Sequence, residues 1–422
     1  MRRSSHFCRS YSGLAALVIL LALVWVACSS TSDPQRVRPR QLRDVPAQRL
    51  AYTFRADTEA PPEINQEEAG AKPLPAIQQD FDTRRKDDAL LRTVTSPDGQ
   101  RALALYGTID EPGPTFHIDL YAADGKFLRN LSPPDLAGVF ADSVLWSSDG
   151  GLIAFVGRKS QKPQPTPTPF EELLEVPAAS PLPTALPSPS IAPAFGLVPV
   201  FNTEQVYICN RDGFDLKPLT TREGLIYFAL SWAPDNHALA ALACRESEWE
   251  AREKEFKTPA GRPRIITLDG QERLLDDSLA EAPPAWCPDS SKVATAFAGR
   301  LQDYAGAYVD VGIYDAAGKA PTQARINLRE PLLAASAAFD EKSATATKKP
   351  AATPTKPATT QPAPQAGTLP GSFNPIVRLE WSSPEKLYLQ TAYVRLYNDP
   401  VNTWRRWHLL TLSAQAAVLD RR

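Results

Sequence analysis

The chain of 422 residues carries 46 Lys and Arg against 48 Asp and Glu, a formal net charge of −2. This balance excludes nucleic-acid binding driven by bulk positive charge. Its 41 prolines, about twice the average share, require stretches without regular structure, whereas its apolar content suffices for a large core.

The first 27 residues have the layout of a secretory signal. Arg2 and Arg3 form a short basic region, and Leu14 to Ala27 is apolar or small throughout. That run is shorter than the roughly 20 residues of a membrane span, so residues 1–27 are interpreted as a signal peptide. Cys28 follows at once. A cysteine directly after Ala27 resembles the lipobox of bacterial lipoproteins, in which the signal is cut before the cysteine and the cysteine carries the lipid. An ordinary secretory signal or an uncleaved N-terminal anchor is the alternative.

Residues 28–89 are predicted to form a lipid-anchored tether. Ser29 to Arg49 is polar and contains several Arg and Pro, as flexible linkers do. Glu59 to Gln79 is a second polar stretch with prolines. Between them, Leu50 to Phe54 alternates like one β-strand. This strand would either close the fold downstream or be the relic of a sixth repeat.

One short phrase recurs five times between residues 90 and 422. Each copy joins a turn rich in Pro, Asp and Gly to an apolar strand. The copies read SPDG from Ser96, WSSDGG from Trp146, WAPDN from Trp232, WCPDS from Trp286 and WSSPE from Trp381. Once the Pro-rich inserts are set aside, the spacing is about 50 residues, which is typical of propeller blades.

Each repeat has room for four short strands. A single four-stranded sheet cannot bury both faces, whereas sheets stacked radially bury them against each other. The sequence therefore predicts an all-β fold, a β-propeller of five four-stranded blades, with a sixth blade left open. The tryptophan would fill the wedge between neighbouring blades, so the repetition has a structural cause.

The repeated residues are therefore interpreted as structural and not catalytic. We expect each turn Asp to bond the backbone that follows it. The set comprises Asp98, Trp146, Asp149, Trp232, Asp235, Trp286, Asp289 and Trp381. Looser turns are expected where Ser148 replaces Pro, where Asn236 and Ser290 replace Gly, and where Pro384-Glu385 replaces Asp-Gly.

Three inserts interrupt the repeats. Two are Pro-rich, at about 162–199 and 342–371, and lack the apolar density that would offset the entropy of ordering, so disorder is predicted. The third, from Glu246 to Phe256, is rich in charge and in helix formers. It predicts a short surface helix or a long hairpin tip.

The repeated phrase resembles the TolB-type propeller repeat, which also occurs in prolyl-oligopeptidase-like enzymes. The segments that carry the resemblance are Ser96–Gly99, Trp146–Phe155, Trp232–Leu242, Trp286–Phe297 and Trp381–Leu389. The resemblance implies a propeller, commonly of six blades. The enzymes that share it need an α/β-hydrolase domain with a G-x-S-x-G elbow, and this sequence contains no such elbow.

No catalytic residue, metal site or cofactor is predicted. The sequence has four histidines in all and no HExxH, EF-hand loop, Walker loop or GxGxxG context. Cys209, Cys244 and Cys287 do not make a disulfide framework. Buried free thiols and a single disulfide are both open.

Aromatic and arginine side chains that do not follow the repeat form the candidate binding surface, because Tyr, Trp and Arg are enriched in binding hot spots. The candidates are Tyr393, Arg395, Tyr397, Trp404, Arg405, Arg406, Trp249 and Phe256. The alternative for each is packing within the fold.

These features predict a non-enzymatic, monomeric propeller outside the cytoplasm, periplasmic or on the outer surface. It would be a lipoprotein that binds protein partners of the cell envelope and no nucleic acid. The alternatives are a carbohydrate- or small-ligand-binding propeller and a hydrolase-related propeller without its catalytic domain. An exposed apolar patch would favour the protein-binding scaffold, an aromatic-lined channel the ligand binder, and convergent carboxylates or histidines an enzyme.

Overall fold

The computed structural model of the protein describes residues 41–61, 74–85, 88–108, 115–159, 203–255, 257–298, 308–318, 322–347, 370–392 and 405–414. The chain divides into two compact units, residues 1–45 and residues 46–422. In the first unit the described residues form a 3₁₀ turn at Leu42–Asp44. The predicted signal peptide and Cys28 lie outside the described residues.

The described residues of the second unit form three antiparallel sheets of four strands and one of nine, and the nine-stranded sheet comprises two four-stranded units joined by a strand between them. These five units are termed blades 1 to 5. The first strand of the second unit is β1 (Leu50–Thr58). Blade 1 contains β2 (Asp88–Thr95), β3 (Arg101–Thr108), β4 (Thr115–Ala122) and β5 (Phe127–Asn130). After the connecting strand β6 (Leu136–Val139), blade 2 contains β7 (Leu145–Trp146), β8 (Leu152–Lys159), β9 (Gln205–Asn210) and β10 (Lys217–Pro218).

The remaining blades follow the same order. Blade 3 contains β11 (Leu225–Trp232), β12 (Ala238–Arg245), β13 (Arg262–Thr267) and β14 (Glu272–Leu274). Blade 4 contains β15 (Ala285–Trp286), β16 (Lys292–Ala298), β17 (Tyr308–Asp315) and β18 (Gln323–Asn327). Blade 5 contains β19 (Ile376–Ser383), β20 (Lys386–Thr391), β21 (Arg406–Ala414) and, on its outside, β1.

The all-β propeller class predicted by the repeat is confirmed. Strand β1 pairs with β21 from Leu50↔Ala414 to Thr58↔Trp407 and completes blade 5. It is therefore a closing strand and not the relic of a further blade. Five blades is the number within the described residues; the number for the whole chain and the domain bounds stay predictions.

Strand alternation builds the core between blades. On β3, Leu103 and Leu105 point into a cluster shared with Trp146 and Phe155 of blade 2. The intervening Ala104 faces the opposite side, against helix α1 (Pro75–Arg84). Both faces of the strand are therefore buried, as stacked blades require. Similar apolar clusters join blade 2 to blade 3 and blade 3 to blade 4.

The repeated tryptophan ties blades 2, 4 and 5 each to the blade before it. The indole N–H donates to a main-chain oxygen on the innermost strand of the preceding blade, from Trp146 to Val94 (3.1 Å), from Trp286 to Ser231 (3.0 Å) and from Trp381 to Ala285 (3.3 Å). The equivalent N–H of Trp232 is buried and has no hydrogen-bond partner within the described part of the chain. The ring thus fills the wedge and also fixes neighbouring inner strands to each other.

Three of the four turns expected to be looser are closed as tightly as the SPDG turn, so the expectation is wrong for these three. Pro384 and Glu385 instead form a two-residue turn between the paired residues Ser383 and Lys386. In the SPDG turn Ser96 N–H donates to Arg101 O at 2.9 Å, and the same bond closes the turns that contain Ser148, Asn236 and Ser290 at 2.9 Å. Asn236 and Ser290 accept the left-handed φ of 61° and 58° that Gly would otherwise supply. Their side chains add contacts between blades: Asn236 Oδ1 accepts from Ser148 N–H (2.8 Å), and Ser290 Oγ from Asp235 N–H (3.0 Å).

Turn aspartates use their carboxylates locally. Asp149 Oδ1 accepts from Gly151 N–H at 2.9 Å and from Ser147 Oγ at 2.6 Å. Asp98, Asp235 and Asp289 each accept from the backbone N–H two residues on. The hydrogen bonds from Ser147 and Gly151 hold the pKa of the Asp149 carboxyl below its ordinary value. A carboxylate engaged in this way shapes a turn.

Antiparallel strands place the connections on two faces of each blade. The turns between first and second and between third and fourth strands define the short-turn face. The other connections define the insert face, and they include the positions of both Pro-rich inserts. Helices α2 (Glu246–Lys254), between β12 and β13, and α3 (Arg329–Thr347), between β18 and β19, also belong to the insert face.

Helix α3 corrects one predicted boundary. Residues 342–347, placed in the second disordered insert, are helical. Lys and Ala in this stretch favour a helix, and the helix is fixed further up by Leu332 and Ser336, which are buried. The rest of that insert and the whole insert at 162–199 lie outside the described residues. No helix in the described ranges is both long and apolar enough to span a membrane.

Candidate functional site

Most of the predicted binding surface falls where the structure gives no description. Tyr393, Arg395, Tyr397, Trp404 and Phe256 lie outside the described residues, which leaves Arg405, Arg406 and Trp249. The connections that carry them leave blade 3 and blade 5 at the insert face. The described strands that flank these segments, β12 and β13 in one case and β20 and β21 in the other, belong to different blades.

Trp249 packs inside the fold. Its ring centre lies 5.1 Å from that of Phe140 and 5.4 Å from that of Phe228. Ion pairs on both sides hold helix α2 down, with Arg262 Nη1 and Nη2 at 2.8 and 2.9 Å from the Glu248 carboxylate. The predicted surface helix is present, and its aromatic side chain anchors it to blade 3.

Arg405 is exposed, whereas Arg406 is only 6% exposed and belongs to a buried lock. Its Nε and Nη2 donate to the two carboxylate oxygens of Asp57 on β1, at 2.7 and 3.0 Å. Its Nη1 donates to the hydroxyls of Ser336 on α3 (3.0 Å) and Ser372 (3.3 Å). Arg406 thus joins the closing strand, α3 and β21, and does not offer a surface.

His408 lies beside this lock and is 1% exposed. Its Nδ1 accepts from Asp57 N–H at 3.3 Å, and its Nε2 is 3.1 Å from Thr391 Oγ1. Burial, followed by the charge of Arg406, lowers the pKa of His408 to about 4 from the ordinary 6.5. The other two described histidines, His117 and His237, are exposed.

Acid is expected to weaken the closing strand through His408. Between pH 6.5 and pH 4 the unfolded chain binds a proton at this imidazole that the folded chain excludes. The stability that depends on a neutral His408 is therefore fully present above pH 6.5 and is lost as the pH falls towards 4. A pKa difference of this size is worth about 3 kcal/mol. Urea midpoints should drop more steeply from pH 7 to pH 4.5 in the wild type than in His408→Gln. In the control His117→Gln, at an exposed position, the urea midpoint should change with pH as it does in the wild type. Equal changes in all three proteins would refute the role given to His408.

Helix α1 is held on blade 1 by polar contacts. Arg85, just past its end, pairs with Asp119 on β4 and with Asp88 (3.2 Å) on β2. Tyr121 donates its hydroxyl to Asp80 of the helix at 3.0 Å. Burial raises the pKa of the Asp119 carboxyl and of the Tyr121 hydroxyl. Each of these groups has a partner that positions the helix.

Three exposed apolar side chains and one arginine lie at the outer edge of blades 1 and 2, on β5 and on the turn between β9 and β10. This outer patch consists of Phe127, Leu128, Arg129 and Phe214. Phe214 is 53% exposed and Phe127 43%. The Arg129 guanidinium lies 3.4 Å from the ring centre of Phe214, and its Nη1 donates to Gly213 O at 3.4 Å. Contact between blades 1 and 2 within this patch is made by Arg129 and Phe214, whereas the Phe127 ring packs edge-on against Tyr121.

Gly213 allows this close approach. Its φ is 76°, and a Cβ there would lie 2.1 Å from a Leu131 methyl and 2.8 Å from Arg129 Cδ. Only glycine lets the β9–β10 hairpin rest on β5 and present Phe214 beside Arg129. Sequence reasoning missed this patch, although both phenylalanines follow an Asp-Gly turn, in DGKF and DGF.

A cavity of about 540 Å³ lies among the innermost strands of blades 3, 4 and 5. Its walls are about as polar as apolar, and the apolar part includes Trp232, Trp286, Trp381, Pro234, Pro283 and Pro284. Polar side chains are contributed by Ser231, Arg378, Glu380 and Gln390. The charged residues Arg378 and Glu380 stand just before the repeated Trp381, in RLEW, and the sequence interpretation did not consider them.

The three described cysteines are buried free thiols. Burial raises the pKa of Cys209, Cys244 and Cys287 to about 12, so none is a reactive thiolate at neutral pH. Across the described ranges no three His, Cys, Asp or Glu side chains converge as metal ligands.

Comparison with known proteins finds solved structures whose folds are similar to that of this chain. No family model and no curated protein sequence matches the chain. A putative TolB from Agrobacterium tumefaciens is 11% identical, with 74% of this chain and 73% of that chain covered and a TM-score of 0.36. An oligogalacturonate lyase from Vibrio parahaemolyticus is 7% identical, with 77% and 67% covered and a TM-score of 0.40. TolB from Acinetobacter baumannii is 15% identical, with 82% and 53% covered and a TM-score of 0.32.

The neighbours thus include TolB proteins, as the resemblance of the repeat implied. Identities this low bear on the fold alone. The propeller class itself rests on the four-stranded sheets and their stacking.

Proposed function

We propose that this protein is a non-enzymatic, extracytoplasmic β-propeller, anchored through Cys28, that binds protein partners of the cell envelope. The outer patch is the observation that carries the proposal. It combines aromatic side chains and an arginine, the residue types enriched in binding hot spots. Rigid hairpins present them, so little side-chain ordering opposes binding.

The carboxylates and histidines of the described blades support a binding role over a reaction. Turn aspartates are engaged by the backbone of their own turns. His408 is buried, while His117 and His237 stand exposed on different blades. These groups do not gather around one reacting centre, so we propose no chemical step.

A pull-down from detergent extracts of the native envelope tests this role. The double variant Phe127→Ser and Phe214→Ser is expected to lose the partner that the wild type recovers, because both apolar anchors are removed. Leu274→Ser is the matched control, since Leu274 is 37% exposed on the fourth strand of blade 3. Recovery of the same partner by the double variant would contradict the proposal.

A further inference from the structure

The cavity among blades 3, 4 and 5 has the dimensions of a ligand site. Its volume of about 540 Å³ falls within the roughly 300–1,000 Å³ of small-molecule pockets. Such pockets are largely apolar and carry a few placed polar groups. This cavity is more polar than that, with polar and apolar groups sharing its wall about equally, which suits a ligand that has both kinds of surface.

Two of the tryptophans in the cavity wall are held by the fold. The indole N–H groups of Trp286 and Trp381 donate to Ser231 O and Ala285 O. These bonds fix the orientation of each ring, and the neighbouring Pro283 and Pro284 are rigid in their own backbone. The apolar wall is therefore preorganised, which lowers the cost of binding a flat ligand.

The polar side of the cavity comes from two neighbouring strands of blade 5. Arg378 and Glu380 are two positions apart on β19 and thus share one side of it. Arg378 Nη2 lies 3.3 Å from Glu380 Oε2, and Gln390 on β20 is paired in register with Arg378. Together they supply donors and acceptors with no net charge.

We propose that this cavity binds a neutral saccharide. A pyranose ring has an apolar C–H face that suits an indole wall, and an edge of hydroxyls that both donate and accept. Arg378 and Gln390 would donate to those hydroxyls, and Glu380 and Gln390 would accept from them. The balanced charge of the polar side gives no advantage to an ionic ligand.

Isothermal titration of the full chain with glucose, N-acetylglucosamine, maltose and chitobiose tests the proposal. At least one of these probes is expected to bind saturably. Glu380→Gln should weaken that binding about tenfold, because it removes a charge-assisted hydrogen bond. Gln390→Ala should weaken it as well, which covers the case in which the first variant does not fold.

Glu385→Gln is the matched control, since Glu385 is exposed on the short turn of the same blade. It should leave the affinity unchanged. Binding of none of the four sugars would overturn the proposal, and so would an affinity that is equal in the wild type, Glu380→Gln and Gln390→Ala. Heat from decaproline and from none of the sugars would overturn it in favour of a proline-rich peptide.

Discussion

Replacing Arg406 with Met is expected to lower the free energy of unfolding by about 3 kcal/mol or more. The guanidinium donates to Asp57, Ser336, Ser372 and the main-chain oxygen of Ala335. Its removal leaves buried hydroxyls and a carbonyl without their donor, which costs more than the bonds alone contribute. The urea midpoint should fall accordingly.

Arg405→Met is the matched control, because Arg405 is the preceding residue and is exposed. Its effect should stay within about 0.5 kcal/mol. Arg406→Lys should recover part of the loss, since an ammonium cannot form the two-point contact with Asp57. Equal midpoints for the Arg405 and Arg406 variants would show that β1 is not held by this lock.

Trp286→Ala is expected to cost about 3–5 kcal/mol, as large-to-small changes in a core do. The indole is 9% exposed and fills the wedge between blades 3 and 4. Trp286→Phe keeps much of the apolar ring and removes the N–H that reaches Ser231 O. We expect a smaller loss, which includes about 1 kcal/mol for that hydrogen bond.

The protein supplies its own control for this bond. The buried N–H of Trp232 has no partner within the described residues, so Trp232→Phe loses ring area and no hydrogen bond. Denaturant midpoints should therefore fall further for Trp286→Phe than for Trp232→Phe. A larger loss at Trp232 would mean that the indole bond between blades contributes nothing to stability.

Local patterns predicted the parts of the fold that local forces decide. An apolar run after each repeated turn located the second strand of the blade, as at β8 and β16, because neighbouring blades bury both faces of that strand. The Asp-Gly turns followed from φ preferences that act within a few residues. Helix α1 was missed because it buries Ile77 alone, so its sequence lacks the apolar periodicity that predicts helices.

Long-range contacts could not be predicted in the same way. Asp57 and Arg406 are separated by 349 positions, and only the closing of blade 5 brings them together. This is why Arg406 was interpreted as surface. The outer patch has the same origin, since the exposure of Phe214 depends on how the β9–β10 hairpin rests on Arg129. The cavity likewise exists only once three blades stand side by side.

Site-specific photo-cross-linking in the native envelope tests the central claim most directly. A photoreactive phenylalanine analogue at Phe214 is expected to capture a protein partner, and the same analogue at Leu274 is expected to capture none. Both side chains are exposed in the outer part of their blades, Phe214 on the turn between β9 and β10 and Leu274 at the end of β14, so Leu274 reports labelling by simple proximity. Capture at Leu274 with none at Phe214, or the same products at both, would contradict the assignment of the outer patch.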